Sequence, residues 1–512
     1  MADYHDAVVI GAGLGGLAAA LRLTVEGLRV IVLDRNAHPG GTAAYHFKRG
    51  YRFPMGPLGF GNPRLVGESL GLIGLDEAPD ILPLNFQFRA FGISASLAPP
   101  LESLVRRLDS LFPGDEPAVN RFFESVRSIN ERLDSARHGA TAPDLARAER
   151  SSAGEFLSGP VSDWRLARIL GSIGTCFPRA GMPFIASLWK MLSGEGLAYP
   201  AGGFPALIGT MIHALEASGR CSFRLGSAAA RIVVSGGRVR GVSLADGSTV
   251  EAPAVISNAD VKTTYLGLLD PRDVPPAWRR AALDAKLTTS GFHVSLGVDS
   301  GAVDLSAFDG GSRIIYRGGE PSGGDDVLDV DWSPPEIEPE ELARQELEVD
   351  LLSAEDSAVA PAGGAVVLIR PTADHAHFAR FRAAPGSRFP SYSSYKERLA
   401  HALIKEVAKL LPGLPSAVSV IDTATPLTYE ERGGRFEGAI AGWAPDPLQM
   451  GDCSLRELVR TPVVGLYLAG HQVLSWMMLG GVPTAFLTGI RAADAVLAGE
   501  PPAAGVGIPV AP

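Results

Sequence analysis

The clearest chemistry in this 512-residue chain lies in a glycine-rich turn near its N-terminus. Residues 11–16 read GAGLGG, follow the apolar run 7–10, and precede the helix-forming run 17–23. A second apolar run, 29–33, ends at Asp34. This order predicts a β-α-β unit with GxGxxG at the first strand-to-helix turn and an acid where the second strand ends.

Each of these positions has a physical reason to bind a dinucleotide. Gly11 permits the tight turn, Gly13 lets a pyrophosphate approach the backbone, and Gly16 lets helix and strand pack closely. The helix N-terminus presents free N–H groups and the positive end of its dipole. Asp34 can accept hydrogen bonds from an adenosine ribose, and its charge disfavours a 2′-phosphate there. The motif predicts dinucleotide binding and leaves NAD and FAD as alternatives.

The residues after Asp34 favour FAD through a family resemblance. Arg35 and the run 40–42 (GGT) continue the strand into a second glycine turn, and residues 50–57 read GYRFPMGP. Together they resemble the FAD-dependent amine oxidases and phytoene desaturases. Members of that family carry a basic residue and paired glycines just after the ribose acid, and then G-Y-x-F-D-x-G-P.

Later segments are similar to the same family in chain order. Residues 199–204 read YPAGGF, as in phytoene desaturases, carotenoid isomerases and retinol saturases, and residues 255–260 read VISNAD. Residues 424–428 read ATPLT, and residues 465–470 read GLYLAG. The run 480–483 (GGVP) then opens a helix whose positive end would face the flavin and favour electron acceptance.

The resemblance implies FAD as the cofactor and a set of residues that contact it. A residue near Ile232 contacts the adenine ring in relatives. The implied cofactor-binding residues are Gly11, Gly13, Leu14, Gly15, Gly16, Asp34, Arg35, Gly40, Gly41, Thr42, Pro57, Ile232, Asn258, Gly470, His471, Gly481, Val482 and Pro483.

Two positions depart from the family pattern. His471 stands where most relatives have Asp or Glu on a ribityl hydroxyl, and Pro54 replaces the usual Asp. Imidazole can still hydrogen-bond a hydroxyl, so FAD binding is compatible with His471. Both departures leave the subfamily and the substrate open.

The reaction implied by the resemblance is hydride transfer at flavin N5, with the protein supplying position and electrostatics. The substrate would be apolar and conjugated or allylic, and the outcome desaturation, saturation or isomerisation of a C–C bond. The electron acceptor or donor is left open. The catalytic candidates are His471, Trp476, Trp443, Tyr199 and Arg52.

Two alternatives come from other functions of the same fold. An FAD-dependent amine oxidase would need an aromatic cage, for which Trp443 and Trp476 are available, and a lysine that holds a water near the flavin. Lys190 and Lys262 cannot be placed from the sequence. A non-enzymatic binder of prenylated proteins, like the Rab GDP-dissociation inhibitors, is disfavoured by the intact glycine motif and Asp34.

The architecture implied by the resemblance is α/β, with a Rossmann-type (GR2-like) FAD-binding domain and an interleaved α+β substrate domain. The FAD-binding domain would be discontinuous, over 1–60, 195–290 and 456–500. The substrate-binding domain would take 61–194, mainly helical, and 291–455, with strand-like runs at 292–298, 327–330 and 365–369. The Pro/Ala/Gly-rich residues 501–512 predict a loose tail.

Composition excludes several other classes. Hydrophobic residues make up 46% and charged residues 20%, which is typical of a globular protein. The net charge is −10 and no basic stripe appears, which argues against nucleic-acid binding. We interpret the acidic stretch 320–356 as a solvated insertion.

Cysteine spacing and hydropathy bound the location. The three cysteines, Cys176, Cys221 and Cys453, show neither metal-ligand spacing nor a disulfide framework, so we expect no metal and a reducing, cytoplasmic compartment. No uninterrupted apolar run is long enough to span a bilayer. A lipid substrate would favour peripheral membrane contact.

Overall fold

The computed structural model describes residues 4–75, 77–90, 92–96, 101–137, 152–171, 180–193, 196–318, 330–384, 386–444, 458–477 and 480–508. In these ranges the α-helices are α1 (Leu14–Val25), α2 (Pro63–Leu72), α3 (Leu101–Leu111), α4 (Glu116–Arg137), α5 (Ala153–Leu157), α6 (Trp164–Gly171), α7 (Met182–Ser193), α8 (Gly203–Ala217), α9 (Val261–Thr263), α10 (Pro276–Asp284), α11 (Pro339–Ala343), α12 (His375–Ala379), α13 (Ser391–Val407), α14 (Leu414–Ala417), α15 (Pro426–Glu431) and α16 (Gly481–Leu497).

The strands of the same ranges are β1 (Ala7–Ile10), β2 (Val30–Leu33), β3 (Tyr45–Lys48), β4 (Tyr51–Pro54), β5 (Ile81–Leu84), β6 (Phe86–Ala90), β7 (Ile93–Ser96), β8 (Leu197–Pro200), β9 (Cys221–Arg224), β10 (Ala229–Ser235), β11 (Arg238–Leu244), β12 (Thr249–Glu251), β13 (Ala254–Ser257), β14 (Ser290–Gly291), β15 (His293–Asp299), β16 (Arg313–Arg317), β17 (Leu347–Leu351), β18 (Gly364–Arg370), β19 (Thr372–Ala373), β20 (Arg382–Ala384), β21 (Ser387–Arg388), β22 (Val418–Ala424) and β23 (Leu466–Leu468).

A five-stranded parallel sheet positions the glycine-rich turn. Its strand order is β23-β13-β1-β2-β9, so strands from the beginning, middle and end of the chain lie side by side. All four residues of β1 and of β2 are buried, as expected for parallel strands covered on both faces. The predicted β-α-β unit is confirmed.

A three-stranded antiparallel sheet, β10-β11-β12, is attached to this unit. The turn between β10 and β11 contains Gly236 and Gly237, whose φ angles are +61° and +73°. Both values lie in the left-handed region that tight hairpins require and that glycine adopts without strain. The Ser-Gly-Gly sequence at this turn therefore explains the hairpin.

A seven-stranded mixed sheet forms the other side of the molecule, in the order β22-β15-β18-β17-β16-β6-β7. One face buries Leu347, Val349 and Leu351 against Tyr395 and Leu399 of α13. The predicted strand-like runs 292–298 and 365–369 are confirmed as β15 and β18. Most of the run 327–330 lies outside the described residues.

The first insertion, 61–194, is mainly helical as predicted, but it also supplies three strands, β5, β6 and β7. Helices α4 and α7 pack through Phe122, Phe123 and Trp189, whose rings meet edge to face. Strands β6 and β7 from the same insertion complete one edge of the seven-stranded sheet. Residues of 61–194 and of 291–455 therefore form the seven-stranded sheet together.

The C-terminal tail differs from the prediction over 501–508. The backbone N–H of Ala503 donates to the carbonyl oxygen of Thr461 at 2.8 Å, and Ile508 is 4% exposed within the core. The prediction of a loose tail was wrong there because the segment returns to the parallel-sheet domain. Residues 509–512 lie outside the described residues.

Among the helices of the described ranges, none combines the length and the apolar character that crossing a bilayer requires.

Candidate active site

A cavity of about 1340 Å³ is lined by residues of both large sheets. The carboxyl ends of β1, β2, β13 and β23 open onto it, through Gly11, Asp34, Asn258 and Gly470. Ligands of open α/β sheets bind at the carboxyl ends of the strands. The volume exceeds the roughly 300–1,000 Å³ of an ordinary small-molecule pocket, so it has room for two ligands.

The glycine-rich turn forms one end of the cavity and leaves no room for side chains. A Cβ on Gly16 would lie 2.0 Å from the carbonyl oxygen of Gly11, so this glycine lets α1 pack on β1. A Cβ on Gly15 would lie 2.6 Å from Asn258 Oδ1 and 3.0 Å from the backbone nitrogen of Gly470. Because Gly13 and Gly15 line the cavity, a ligand there meets bare backbone.

Asp34 is held in place by backbone donors on both of its oxygens. Its Oδ2 accepts from the N–H of Ala12 and its Oδ1 from the N–H of Asn36, each at 2.7 Å. The residue is 7% exposed and lines the cavity at the end of β2. This geometry fixes a carboxylate where an adenosine ribose would need an acceptor.

The second glycine turn packs directly on the first. Gly40 and Gly41 have φ angles of +110° and +56°, and the N–H of Gly40 donates to the carbonyl oxygen of Ala12 at 2.7 Å. Arg35 donates from Nη2 to the carbonyl oxygen of Glu431 at 2.7 Å, which ties this turn to the end of α15. Both turns line the same end of the cavity.

His471 and the N-terminus of α16 face the cavity from the C-terminal segment. Gly481 and Val482 in the first turn of α16 line it, and the helix dipole there favours a partial negative charge on a ligand. Burial, with the nearby charge of Arg435, lowers the pKa of His471 to about 3. The imidazole is therefore neutral at pH 7 and can exchange a hydrogen bond with a hydroxyl.

A long stretch of the cavity wall, here the apolar arm, is made of hydrocarbon side chains. Its residues come from α7, from strands β5, β6, β8 and β16, and from the loop before α2. Its members are Leu58, Phe60, Leu84, Phe86, Phe184, Leu188, Met191, Leu192, Leu197 and Ile315.

A polar cluster lines the cavity beside the apolar arm, and we define it as His293, Glu348, Arg370, Tyr429 and Arg435. The register of the seven-stranded sheet creates it, because Glu348 of β17 lies opposite Arg370 of β18. Their ion pair spans 3.1 Å. The hydroxyl of Tyr429 and Nδ1 of His293 share a short hydrogen bond.

The electrostatics of the cluster keep two of its members neutral. Burial lowers the pKa of His293 well below its usual range, and the charges of Arg370 and Arg435 add to the effect. Burial also raises the pKa of Tyr429 above its usual range. The imidazole and the phenol therefore stay uncharged at pH 7, while Glu348 and Arg370 form a pair.

Arg313 joins the sheet to the loop before α2. It contacts Asp350 at 3.3 Å with both side chains at most 1% exposed, and it donates to the carbonyl oxygen of Leu58. Burial and the neighbouring Glu348 raise the pKa of Asp350. The arginine therefore anchors the wall of the apolar arm to β16.

A family comparison accounts for this geometry. The model of the flavin containing amine oxidoreductases matches residues 14–497. The chain belongs to this family.

Curated relatives of the chain are named for prolycopene, phytoene and retinol. The chloroplastic prolycopene isomerase of Daucus carota is 25% identical, over 96% of this chain and 80% of that protein. The human all-trans-retinol 13,14-reductase is 25% identical over 94% and 84%. The phytoene desaturase (neurosporene-forming) of Cereibacter sphaeroides is 31% identical over 52% of this chain and 55% of its own length.

Solved structures of flavin oxidases share the fold. Wild-type putrescine oxidase bound to putrescine is 15% identical and covers 97% of this chain and 100% of its own, with a TM-score of 0.64. Family and fold agree with the cradle of bare backbone and the fixed Asp34. This flavin oxidoreductase is therefore an FAD enzyme, and its glycine end fits the cofactor.

Most of the residues implied to bind FAD line the cavity together. Three do not line it. Gly16 lies where α1 packs closely on β1. Pro483 is buried in the first turn of α16, and Ile232 is fully buried in β10. Ala228 and Ala229, at the start of β10, line the cavity instead. The residues that line it are Gly11, Gly13, Leu14, Gly15, Asp34, Arg35, Gly40, Gly41, Thr42, Pro57, Asn258, Gly470, His471, Gly481 and Val482.

Of the catalytic candidates, the structure brings His471 to the cavity. Tyr199 is fully buried and shares a 2.7 Å hydrogen bond with Tyr45, so it packs rather than faces a ligand. Arg52 lies over the ring of Phe47 on the β3–β4 hairpin. Trp443 is 3% exposed in the core behind the wall, and the side chain of Trp476 lies outside the described residues.

The polar cluster is what sequence reasoning missed. Glu348 belongs to the stretch 320–356 that we interpret from the sequence as a solvated insertion. That interpretation was wrong for Glu348 and Asp350, which lie on β17. The alternation of apolar and acidic residues over 347–351 (LEVDL) was an available signal, because it is the period of a strand with one polar face.

Proposed function

We propose that the protein is an FAD-dependent oxidoreductase that acts on a conjugated or allylic polyene, by desaturation, saturation or isomerisation. The observation that carries the proposal is the apolar arm, a hydrocarbon wall in the same cavity as the FAD cradle. An elongated apolar substrate gains free energy from leaving water for such a wall. Bound FAD would supply the hydride acceptor or donor.

The residues of the chain have separate tasks in this proposal. The glycine turns and Asp34 hold the cofactor, and the apolar arm excludes water and orients the polyene. His471 contributes a neutral hydrogen-bonding group at the cofactor. The human relative is named for retinol and the carrot relative for prolycopene, and these names support a polyene substrate.

The amine oxidase alternative has weaker support. Among the described residues that line the cavity, none is a lysine. Lys262 instead donates to the carbonyl oxygen of Leu283 at 3.2 Å, and its ammonium group lies over the ring of Phe436. At 15% sequence identity, the similarity to putrescine oxidase shows a shared fold and not a shared substrate.

The location of the protein belongs to the same proposal. We place the enzyme in the cytoplasm with peripheral contact to a membrane, because polyenes partition into bilayers. Flotation of the purified protein with phospholipid vesicles measures that contact. Recovery of all the protein in the vesicle-free fraction would remove membrane contact from the proposal.

Anaerobic spectra of the purified, flavin-loaded protein test the function. Phytoene, prolycopene and all-trans-retinol are each added, before and after NADPH, and the products are separated by chromatography. Bleaching of the flavin by phytoene indicates a desaturase, whereas bleaching by NADPH followed by polyene turnover indicates a saturase or isomerase. Reduction by putrescine alone would instead establish an amine oxidase. Absence of flavin bands after FAD is supplied would favour the non-enzymatic binder.

A further inference from the structure

The polar cluster adjoins the apolar arm, where a hydrocarbon substrate would need only apolar contacts. The side chains of Arg370 and Glu348 are 21% and 28% exposed, so the pair is partly withdrawn from water, which costs desolvation free energy. Glu348 and Arg370 nevertheless stand on the cavity side of the sheet, 3.1 Å apart. A pure hydrocarbon offers them no hydrogen bond in return.

The cluster adjoins the apolar arm through the strand register. Ile315 of β16 lies opposite Glu348 of β17, and Glu348 lies opposite Arg370 of β18. One row across the sheet therefore runs from an apolar residue of the arm to a carboxylate and then to a guanidinium. A molecule lying along the arm meets polar groups at this end.

Two guanidinium groups in the cluster retain unused donors. Nε of Arg370 and Nε of Arg435 are buried, and neither has a hydrogen-bond partner among the described residues. The terminal nitrogens of Arg435 are already engaged, with Thr42 Oγ1 and the carbonyl oxygens of Ala439 and Ile440. A buried donor without a partner is costly, so an acceptor on a ligand would stabilise it.

The charge balance of the cluster favours a neutral acceptor over an anion. Glu348 already neutralises Arg370, and Asp260 lies near Arg435 and attracts its charge. His293 and Tyr429 form an uncharged pair. The unused groups are therefore donors within a balanced set of charges, which suits the oxygen of a hydroxyl or carbonyl group.

We infer that the substrate is an oxygenated polyene, whose hydroxyl or carbonyl oxygen binds the polar cluster while its chain lies in the apolar arm. This inference rests on the proposed function and narrows its substrate class. It distinguishes this chain from an enzyme whose substrate is a hydrocarbon along its whole length. No bond is made or broken by the cluster, whose residues position the substrate.

Matched ligand pairs test the inference by binding rather than by turnover. The probes are all-trans-retinol against axerophtene, the hydrocarbon that lacks its hydroxyl, and β-cryptoxanthin against β-carotene. Affinity is measured from the shift of the polyene absorbance on the flavin-loaded protein. At least one alcohol should bind about tenfold more tightly than its hydrocarbon, as expected for a hydrogen bond to a charged donor.

The paired replacement Glu348→Leu with Arg370→Met should abolish that preference. Replacing both members of the ion pair with apolar residues removes it without leaving the uncompensated charge that removal of one member would leave. The alcohol should bind about tenfold more weakly and the hydrocarbon no more weakly. Tyr429→Phe, which removes one hydroxyl, should lower the alcohol's affinity severalfold.

The exposed pair on α2 is a matched control, with Arg64→Met and Glu68→Leu, and should leave both affinities unchanged. Equal binding of alcohol and hydrocarbon overturns the inference and leaves the proposed function standing. Loss of flavin absorbance in the paired variant also overturns it, because the pair would then serve the cofactor. If none of the four polyenes binds the flavin-loaded protein, the proposed function fails and the inference with it.

Discussion

The side-chain amide of Asn258 donates a hydrogen bond to the carbonyl oxygen of Gly11, over 3.2 Å. This contact joins the end of β13 to the glycine turn after β1, although the residues lie far apart in the chain. The other terminal atom of the side chain, Oδ1, would lie 2.6 Å from a Cβ on Gly15 and 2.8 Å from a Cβ on Gly470. One asparagine therefore sets the shape of the cofactor cradle from two sides.

Replacing this asparagine should weaken cofactor binding. Asn258→Asp removes the donor to Gly11 and sets a carboxylate oxygen against a carbonyl oxygen, at a cost of about 1–3 kcal/mol. We expect FAD affinity, measured by titrating the FAD-free protein, to fall roughly tenfold to a hundredfold. Asn120→Asp on the exposed face of α4 is the control. Equal affinity in both variants would show that the amide does not shape the cradle.

A methyl group in the glycine turn should have a comparable effect. In Gly15→Ala the added Cβ meets the backbone nitrogen of Gly470 at 3.0 Å and the carbonyl oxygen of Ala485 at 3.1 Å. Backbone atoms cannot move aside as a flexible side chain can, so α1 and α16 must separate. We expect the variant to purify with much less flavin. Gly209→Ala on α8, where nothing lies within 4 Å, should keep its full flavin content.

The pH dependence of stability should report the buried imidazole of His471. Its folded pKa of about 3 lies below the unfolded value of about 6.5. The unfolded chain therefore binds more protons as the pH falls below about 6.5, and the folded protein loses up to about 1.4 kcal/mol per pH unit. His471→Gln removes this loss.

Urea unfolding of the flavin-loaded proteins measures this effect between pH 7.5 and pH 5. The free energies of unfolding of wild type and His471→Gln should differ by a constant amount above about pH 6.5 and diverge in favour of the variant below it. His401→Gln on the exposed face of α13 is the matched control for the substitution itself. Parallel curves for His471→Gln would mean that the imidazole is solvated.

Removing the hydroxyl of Tyr199 should affect stability and not chemistry. Tyr199→Phe breaks the 2.7 Å hydrogen bond to Tyr45, which we expect to cost about 0.5–1.5 kcal/mol of stability. Tyr45→Phe should cost the same, and the double variant little more, because both remove one shared bond. The rate of anaerobic flavin reduction should be unchanged in all three. A reduction rate that falls in Tyr199→Phe alone would restore it as a catalytic candidate.

The sequence was most informative where structure is local. The glycine turn, Asp34 and the strands around them follow from spacing within about thirty residues, so the β-α-β unit and the cofactor were predictable. The polar cluster was not, because Glu348 and Arg370 become neighbours only through strand register. Tyr199 is a catalytic candidate by its motif, but it is fully buried and its hydroxyl hydrogen-bonds Tyr45, a long-range contact that the motif does not encode.

The order of strands in the parallel sheet has a consequence for synthesis. Strand β1 ends at Ile10, whereas β23, at the edge of the same sheet, begins at Leu466. A ribosome therefore synthesises nearly the whole chain before β23 can join this sheet. Until then the early β-α-β unit lacks this edge strand. Sheets closed by such distant segments fold slowly. We expect newly made protein to retain FAD only after this last strand has been added to the sheet.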